Sequence, residues 1–373
     1  MNYSEAIEYI HAIPKFVRPL GNRQLGELLE LCDNPQDKLK YVHVAGTNGK
    51  GSVCAMTAEI LKRAGYKTGL FTSPFIEVFN ERIRINGDMI DDETLAKYVS
   101  EMAEISEKNG IAVSEFAFIT AVAFRYFYDN GCDIVVLETG MGGRLDATNI
   151  IPAPEVCAIT SVGLDHMQYL GGTVEEIAHE KCGIFKKGSI AVSAPNERVS
   201  DIIKEEAEAA GCELVICEKA DRKPGSFIYK TWGYHLKLKG AYQAENAAVV
   251  LEIIFALRRR GYDISEHAVN EGFSNASWKA RYEFVSPDIV IDGGHNIDGI
   301  RALKQSLSEE SREVVLVIAM MRDKSYEVCL HTIVPAAAAV VATELTMDRC
   351  LKCTEIKRIC DSVGVECFEE PDV

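Results

Sequence analysis

The chain has 373 residues, with 40 Lys and Arg against 56 Asp and Glu, a formal charge of −16 at pH 7 with histidines neutral. Hydrophobic residues at 47% and charged residues at 26% match an ordinary globular interior and surface, which excludes a disordered or fibrous chain, and the length points to two domains. The acidic balance argues against nucleic acid as a partner, and apolar runs such as 336–342 fall far short of the roughly 20 residues a bilayer span needs, so a cytoplasmic protein with no membrane segment is expected.

Beta-branched or apolar runs bounded by polar turns fall at 40–45, 67–71, 133–137 and 156–160, and helical patterns at 52–64, 92–108 and 115–128 separate several of them. This alternation predicts an α/β fold with a mostly parallel sheet covered by helices. A strand at 189–193 leads into an acidic helix, 226–239 reads as a small antiparallel addition, and helices at 242–260 and 265–272 close the first domain. The polar stretch 274–280, with Trp278 as its exception, reads as a linker. Strands at 289–292, 314–319 and 337–342, with helices at 298–307 and 325–333, then predict a second, smaller α/β domain; the boundaries drawn are 1–277 and 278–373. Twelve cysteines in a chain of this size read as reduced thiols. Cys350, Cys353, Cys360 and Cys367 superficially suggest a zinc clamp, but Leu351, Ile356 and Ile359 supply apolar positions at helical spacing, so core packing is the preferred reading.

The strongest local signal is Gly46-Thr47-Asn48-Gly49-Lys50-Gly51-Ser52, between an apolar strand and a helix. Strand, glycine turn and helix start together surround a phosphate with backbone N–H groups, and Lys50 compensates its charge. Val44 stands where the generic pattern begins with glycine and Gly51 intervenes before Ser52; the bland alternative is a tight turn with a solvated lysine. Glu138 follows the run 133–137, and a carboxylate at the active edge of a sheet can hold magnesium together with water and nucleotide phosphates. Asp165 and His166 follow 156–160 in the same way; an imidazole there can coordinate metal or orient phosphate, or make a structural hydrogen bond.

Longer matches accompany these features: HVAGTNGKGS at 43–52, LFTSP at 70–74, FNERIRING at 79–87, GGRLDATN at 142–149, ITSVGLDH at 159–166, EKCGIFK at 180–186, DGGHN at 292–296 and RDKS at 322–325. Over most of residues 20–325 the chain resembles the folylpolyglutamate synthase and dihydrofolate synthase family of the Mur ligase superfamily. The resemblance implies a P-loop mononucleotide-binding domain with a mostly parallel sheet and a smaller Rossmann-like α/β C-terminal domain, here shortened by its end at Val373. It implies an ATP-dependent ligase that phosphorylates a folate or dihydropteroate carboxylate, after which the α-amine of L-glutamate attacks the acyl phosphate. The alternatives are a Mur-type ligase acting on another carboxylate and a catalytically impaired nucleotide-binding protein.

The family's roles carry over to Lys50, Glu138, His166 and Lys181 as catalytic groups, and to Ser52, Ser73, Glu138, His166 and Lys181 around magnesium. ATP is expected at Gly46, Thr47, Asn48, Gly49, Lys50, Gly51 and Ser52, at Asn246 with Gln243 one turn away, and at Arg281, Asp292, His295 and Asn296, with Arg322, Asp323 and Lys324 as a further nucleotide-facing turn. The lysine matching Lys181 can be carbamylated in related ligases, which turns an ammonium into a carboxylate-like ligand; an ordinary pairing with Glu180 is the alternative. Domain closure is expected to bring both sets of groups to one triphosphate. Departures from the family include Phe75 where histidine is frequent, Ala280 where glycine is common, Gly294 for alanine and Ile297 for proline. A monomer is expected, with a partner left open by the short C-terminus.

Overall fold

Apolar strands that alternate with amphipathic helices can bury both faces of a sheet only in layers, and the chain folds accordingly as an α/β protein. The computed structural model describes residues 1–15, 17 and 21–372. Its contacts divide into two units, Met1–Lys237 with Ala244–Lys279, and Leu238–Gln243 with Ala280–Val373.

The first unit opens with α1 (Tyr3–Ala12), α2 (Arg23–Glu30), β1 (Tyr41–Ala45), α3 (Lys50–Arg63), β2 (Thr68–Phe71), β3 (Ile83–Ile85) and β4 (Asp88–Met89). It continues through α4 (Asp92–Asn109), α5 (Glu115–Asp129), β5 (Ile134–Glu138), β6 (Val156–Ile159), α6 (Met167–Leu170), α7 (Val174–Cys182), β7 (Ile190–Ser193), α8 (Ser200–Ala210) and β8 (Glu213–Ile216). A small antiparallel sheet of β9 (Asp221–Lys223), β10 (Ser226–Tyr229) and β11 (Trp232–His235) precedes α9 (Gln243–Arg259) and α10 (Glu266–Asn275).

The main sheet has the order β4-β3-β2-β5-β1-β6-β7-β8, parallel from β2 to β8 and antiparallel only at the β3 and β4 edge. Every residue of β1 and β5 is buried, as strands covered on both faces require. Phe118, Phe124 and Phe127 of α5 pack with Leu95, Val99 and Met102 of α4 in one core, and burying each such side chain contributes about 1.5–3 kcal/mol. Ile177, Ala178 and Cys182 of α7 join Ile203 and Ala207 of α8 in another. Local signals fix the helix that carries Lys181: Thr173 and Glu176 form a reciprocal capping box at the start of α7. Because β1 lies between β5 and β6, the loops that follow all three strands leave the sheet side by side.

In the second unit, β12 (Glu283–Ser286) pairs antiparallel with β13 (Ile289–Ile291). After α11 (Ile297–Leu307) come β14 (Val315–Ile318), α12 (Tyr326–Ile333), β15 (Ala339–Ala342), α13 (Cys353–Val363) and β16 (Glu366–Glu369), with β14, β15 and β16 forming a parallel sheet. The strand expected at 289–292 therefore lies in a hairpin with β12; Ser286-Pro287-Asp288 is the turn chemistry that folds it back. Leu351, Cys353, Ile356, Ile359 and Cys360 are buried in this unit's core, and no group of three His, Cys, Asp or Glu among the described residues is placed to hold a metal ion. No helix among them is long and apolar enough to cross a membrane.

Ala280 and Tyr282 have φ of 52° and 49°, left-handed conformations that cost an L-residue about 1–2 kcal/mol each. Position 280 thus takes a backbone conformation that glycine would adopt without this cost. The strained turn is held by Gly293 N–H donating to Ala280 O at 2.9 Å and by Asp292 Oδ2, which accepts from Tyr282 N–H and the Tyr242 hydroxyl at 2.9 Å each.

Candidate functional site

The loop from Gly46 to Gly49 joins β1 to α3, and its shape is dictated by side chains from three distant segments. A Cβ on Gly46 (φ 152°) would lie 1.8 Å from Thr160 Oγ1, and one on Gly49 (φ 87°) 2.3 Å from Asn246 Oδ1. On Gly51 it would lie 2.6 Å from the Trp278 indole nitrogen. Residues beyond β6 brace the same loop. Thr160 Oγ1 donates to Asn48 O at 2.7 Å, Asn48 N–H donates to Ser161 Oγ at 3.1 Å, and Thr47 N–H donates to Ser161 O at 2.6 Å. Gly49 provides no side-chain cap for α3, so the helix start suits an anionic ligand that would take its place.

Two amines converge on one carbonyl within this loop. Lys50 Nζ donates to Gly46 O at 3.0 Å and to Thr47 O at 3.3 Å, and Lys181 Nζ donates to Gly46 O at 2.8 Å. Lys181 is only 4% exposed; burial first, then the charge of Lys50, push its ammonium down to about 7, against the opposing pull of Asp165 and Asp146. Glu138 ends β5 opposite Val44, is 4% exposed, and its Oε2 accepts Ser73 N–H at 3.1 Å. The Cys54 thiol is raised chiefly by burial, with Glu138 adding to the rise and Lys50 opposing it. Ser52 is buried on the first turn of α3. His166 begins α6 in a left-handed conformation, half-exposed, its Nε2 4.0 Å from Asp165 Oδ2.

Three further features had not been singled out in the sequence. Glu81 pins the loop after Ser73: burial raises its pKa, but N–H donors from Ile76, Glu77 and Val78 at 2.9, 3.1 and 3.3 Å outweigh that and hold it below the usual range. The Arg82 guanidinium lies 5.3 Å from the Phe75 ring centroid and 5.2 Å from that of Phe79, with Nε and Nη1 buried and without a hydrogen-bond partner among the described residues. Glu138 and Glu115 are its nearby charges. Such a group has free donors that an anion could take, and an Arg set among aromatics was the legible signal. In the segment after β5, Asp146 accepts from Met141 N–H (2.8 Å), Thr148 N–H (3.0 Å) and the Thr148 hydroxyl (2.6 Å). Thr148 in turn meets His43 Nε2 at 2.8 Å, and burial holds His43 neutral with a pKa of about 3.

The structure thus gathers Gly46–Ser52, Ser73, Glu138 and Lys181 on adjacent elements of the first unit, with the Asn246 amide against the phosphate loop rather than apart from it. In the second unit, taken by itself, Asp292 braces the strained turn, and Asn296 caps α11 by accepting Gly299 N–H at 2.9 Å. His295 Nδ1 lies 3.0 Å from Gly293 O, and Arg322 pairs with Glu355 at 3.2 Å.

The contact at Gly51 gives a direct test. Gly51→Ala should lower turnover by roughly a hundredfold, because the methyl must displace the indole or shift the phosphate-binding turn by about an ångström. Trp278→Ala combined with Gly51→Ala should recover most of that loss in a double-mutant cycle of kcat/KM. Equal damage in both backgrounds would mean that the indole is not what requires glycine there.

A profile of the Mur ligase middle domain matches residues 44–254. The dihydrofolate synthase/folylpolyglutamate synthase of Bacillus subtilis is 32% identical over 394 residues, covering 99% of this chain and 91% of its own length. The folylpolyglutamate synthase of Lacticaseibacillus casei is 33% identical over 367 residues, covering 91% of this chain and 85% of its own. Among solved structures, folylpolyglutamate synthase of Mycobacterium tuberculosis complexed with ADP and AMPPCP matches with a TM-score of 0.87 at 28% identity, over 99% of this chain and 88% of that one.

Proposed function

Since the chain belongs to the folylpolyglutamate synthase and dihydrofolate synthase family of Mur ligases, we propose that it is an ATP-dependent ligase joining L-glutamate to a carboxylate of a folate or of dihydropteroate. The observation that carries this reading is the convergence of the Lys50 and Lys181 amines on Gly46 O in the loop before α3, with Glu138 at the end of the neighbouring strand β5. A carboxylate is a poor electrophile because its charge repels a nucleophile. Transfer of the γ-phosphoryl group to a carboxylate oxygen, with ADP leaving, supplies an acyl phosphate; the glutamate α-amine then attacks its carbonyl carbon, phosphate departs and the amine loses a proton. The loop N–H groups and Lys50 compensate charge on the transferring phosphate. Arg82 receives the acceptor's carboxylate, and the partly exposed Phe75 offers a face to the acceptor's flat ring.

Magnesium fits the donors present, since an ion that keeps waters and phosphate oxygens needs only one or two protein ligands. Ser52, Ser73, Glu138 and His166 would hold it, joined by Lys181 once carbamylated. When bound, it supplies charge neutralisation to the phosphate oxygens. The depressed pKa of Lys181 favours that modification, because the neutral amine is the form that adds to carbon dioxide. We assign residues 1–277 to the catalytic P-loop domain and 278–373 to a Rossmann-like C-terminal domain, whose Arg281, Asp292, His295 and Asn296 contribute to ATP binding.

Purified chain given ATP, magnesium, L-glutamate and either dihydropteroate or tetrahydrofolate should yield an acceptor heavier by one glutamyl residue, with one phosphate released per bond, as read by mass spectrometry. Failure with every pterin acceptor, while a nucleotide-linked cell-wall precursor gains an amino acid, would move the protein to another branch of the superfamily.

A further inference from the structure

A cavity of about 320 Å³ opens on the first unit between α3, the β2 and β3 side of the main sheet and the end of α10. Gly51, Ala55, Ala58 and Lys62 recur at intervals of three or four and so share one face of α3, which the small residues at 55 and 58 leave hollow. Opposite them, Thr68 and Leu70 of β2 and Arg84 of β3, in register with Leu70, supply the alternate side chains of one sheet face. The Trp278 indole closes the end nearest Gly51. At the other end the Lys62 amine lies 3.4 Å from where a Cβ on Gly87 would stand. Asn86 and Gly87, with φ of 52° and 88°, form the two-residue turn that joins β3 to β4. Neither Lys50, Glu138 nor Lys181 lines this cavity, so the ligase chemistry makes no use of it.

The charges around it do not balance. Lys62, Arg63 and Arg84 stand against Glu59 and Asp88, in a chain whose total is −16. Glu59 serves two cations: Arg63 Nε donates to it at 2.7 Å and Lys62 Nζ at 3.5 Å, so the amine has the weaker share. Arg84 makes no ion pair among the described residues; its Nε donates to Glu81 O at 3.1 Å, and its guanidinium lies 5.7 Å from the Trp278 ring centroid. Burial pulls this guanidinium below its usual range, and Glu81, the opposing charge, is already held by three backbone N–H groups. Asn86 Oδ1 accepts Thr68 N–H at 2.9 Å, which leaves the amide nitrogen as a further donor on the turn.

We propose that this cavity is a binding site for a compact dianionic oxyanion, inorganic phosphate or a short dicarboxylate, held between the Lys62 amine and the Arg84 guanidinium and separate from the phosphate loop. Lys62 supplies a point charge with three donors, and Arg84 a planar fork whose paired N–H groups match two oxygens of one ligand group. The indole that borders the cavity is the one that packs on Gly51, so an occupant and the phosphate loop share a wall.

The inference does not rest on the ligase reading, and its test reads binding alone. The full chain, saturated with magnesium and AMPPCP so that the phosphate loop is filled, is dialysed to equilibrium against labelled inorganic phosphate and, in a parallel arm, labelled γ-glutamylglutamate at constant ionic strength. One bound equivalent is expected, and the arm that saturates at the lower concentration identifies the source. Lys62→Met and Arg84→Met, each checked for folding by circular dichroism, should weaken binding by about tenfold, the scale of one lost charge-assisted contact. In a Trp232→Phe chain, where Trp278 is the sole tryptophan, the same titration should change the indole emission. No bound equivalent in either arm, full-strength binding in both variants, or binding that leaves this emission unchanged would overturn the assignment. Phosphate uptake that AMPPCP abolishes would place the ion on the phosphate loop instead.

Discussion

Replacing Lys181 with methionine should remove most of the turnover and at the same time make the protein more stable. The lysine has an ordinary pKa of 10.5 and is driven to about 7 by burial and by Lys50. An unfolded chain therefore binds this proton more tightly than the folded one, and the native state carries a penalty that is complete below about pH 7 and fades as pH rises towards 10.5. At about 1.4 kcal/mol per pH unit the penalty has an upper bound near 5 kcal/mol. Methionine keeps the apolar stem and removes the charge, so urea unfolding in carbon dioxide-free buffer at pH 6 should favour the variant by about 2–4 kcal/mol, with the gap closing by pH 10. Turnover should nevertheless fall by roughly 10²–10³-fold, the scale associated with losing one preorganised electrostatic partner. Bicarbonate added to carbon dioxide-depleted enzyme should raise wild-type turnover and leave the variant unchanged. Equal stability at both pH values, or turnover close to wild type, would remove Lys181 from the chemistry.

Lys50→Met should be at least as damaging, for two reasons that can be separated. Its amine is positioned by Gly46 O and Thr47 O at the start of α3, so its loss leaves phosphate charge uncompensated, an effect of about 10³-fold on the phosphoryl-transfer step. Lys50 is also, after burial, the main influence depressing Lys181. Without it Lys181 should hold its proton to higher pH, and the pH at which bicarbonate activates should move upward. Single-turnover phosphate release measures the first effect, and the pH profile of activation measures the second. A variant within tenfold of wild type would show that the amine does not meet the transferring phosphate.

What the sequence made legible was local. Strand, glycine turn and helix occupy consecutive residues at 41–63, so the phosphate loop could be read from one stretch; the end of the apolar run 133–137 pointed to Glu138 and the matched EKCGIFK segment to Lys181. Lys181 reaches Gly46 across 135 positions, and no local pattern announces that its amine shares a carbonyl with Lys50. The same distance in sequence hid the service of Thr160, Asn246 and Trp278 against the loop glycines. Asn246 is expected at ATP from the resemblance; that its side chain lies on Gly49 depends on how α9 packs, which no local pattern shows. Ala280 was visible as a departure from glycine, but only the backbone angle gives that departure a cost.

The three crowded glycines also limit how this loop can be moved or altered. Grafting residues 46–52 onto another scaffold would carry the motif without the threonine, asparagine and tryptophan that mould it, and the transplanted ribbon would be free to relax into other shapes. At positions 46 and 49 the backbone angle itself strains any other residue, whatever its neighbours, whereas at 51 the obstacle is the Trp278 indole alone, so only there could a smaller neighbour make room for a side chain.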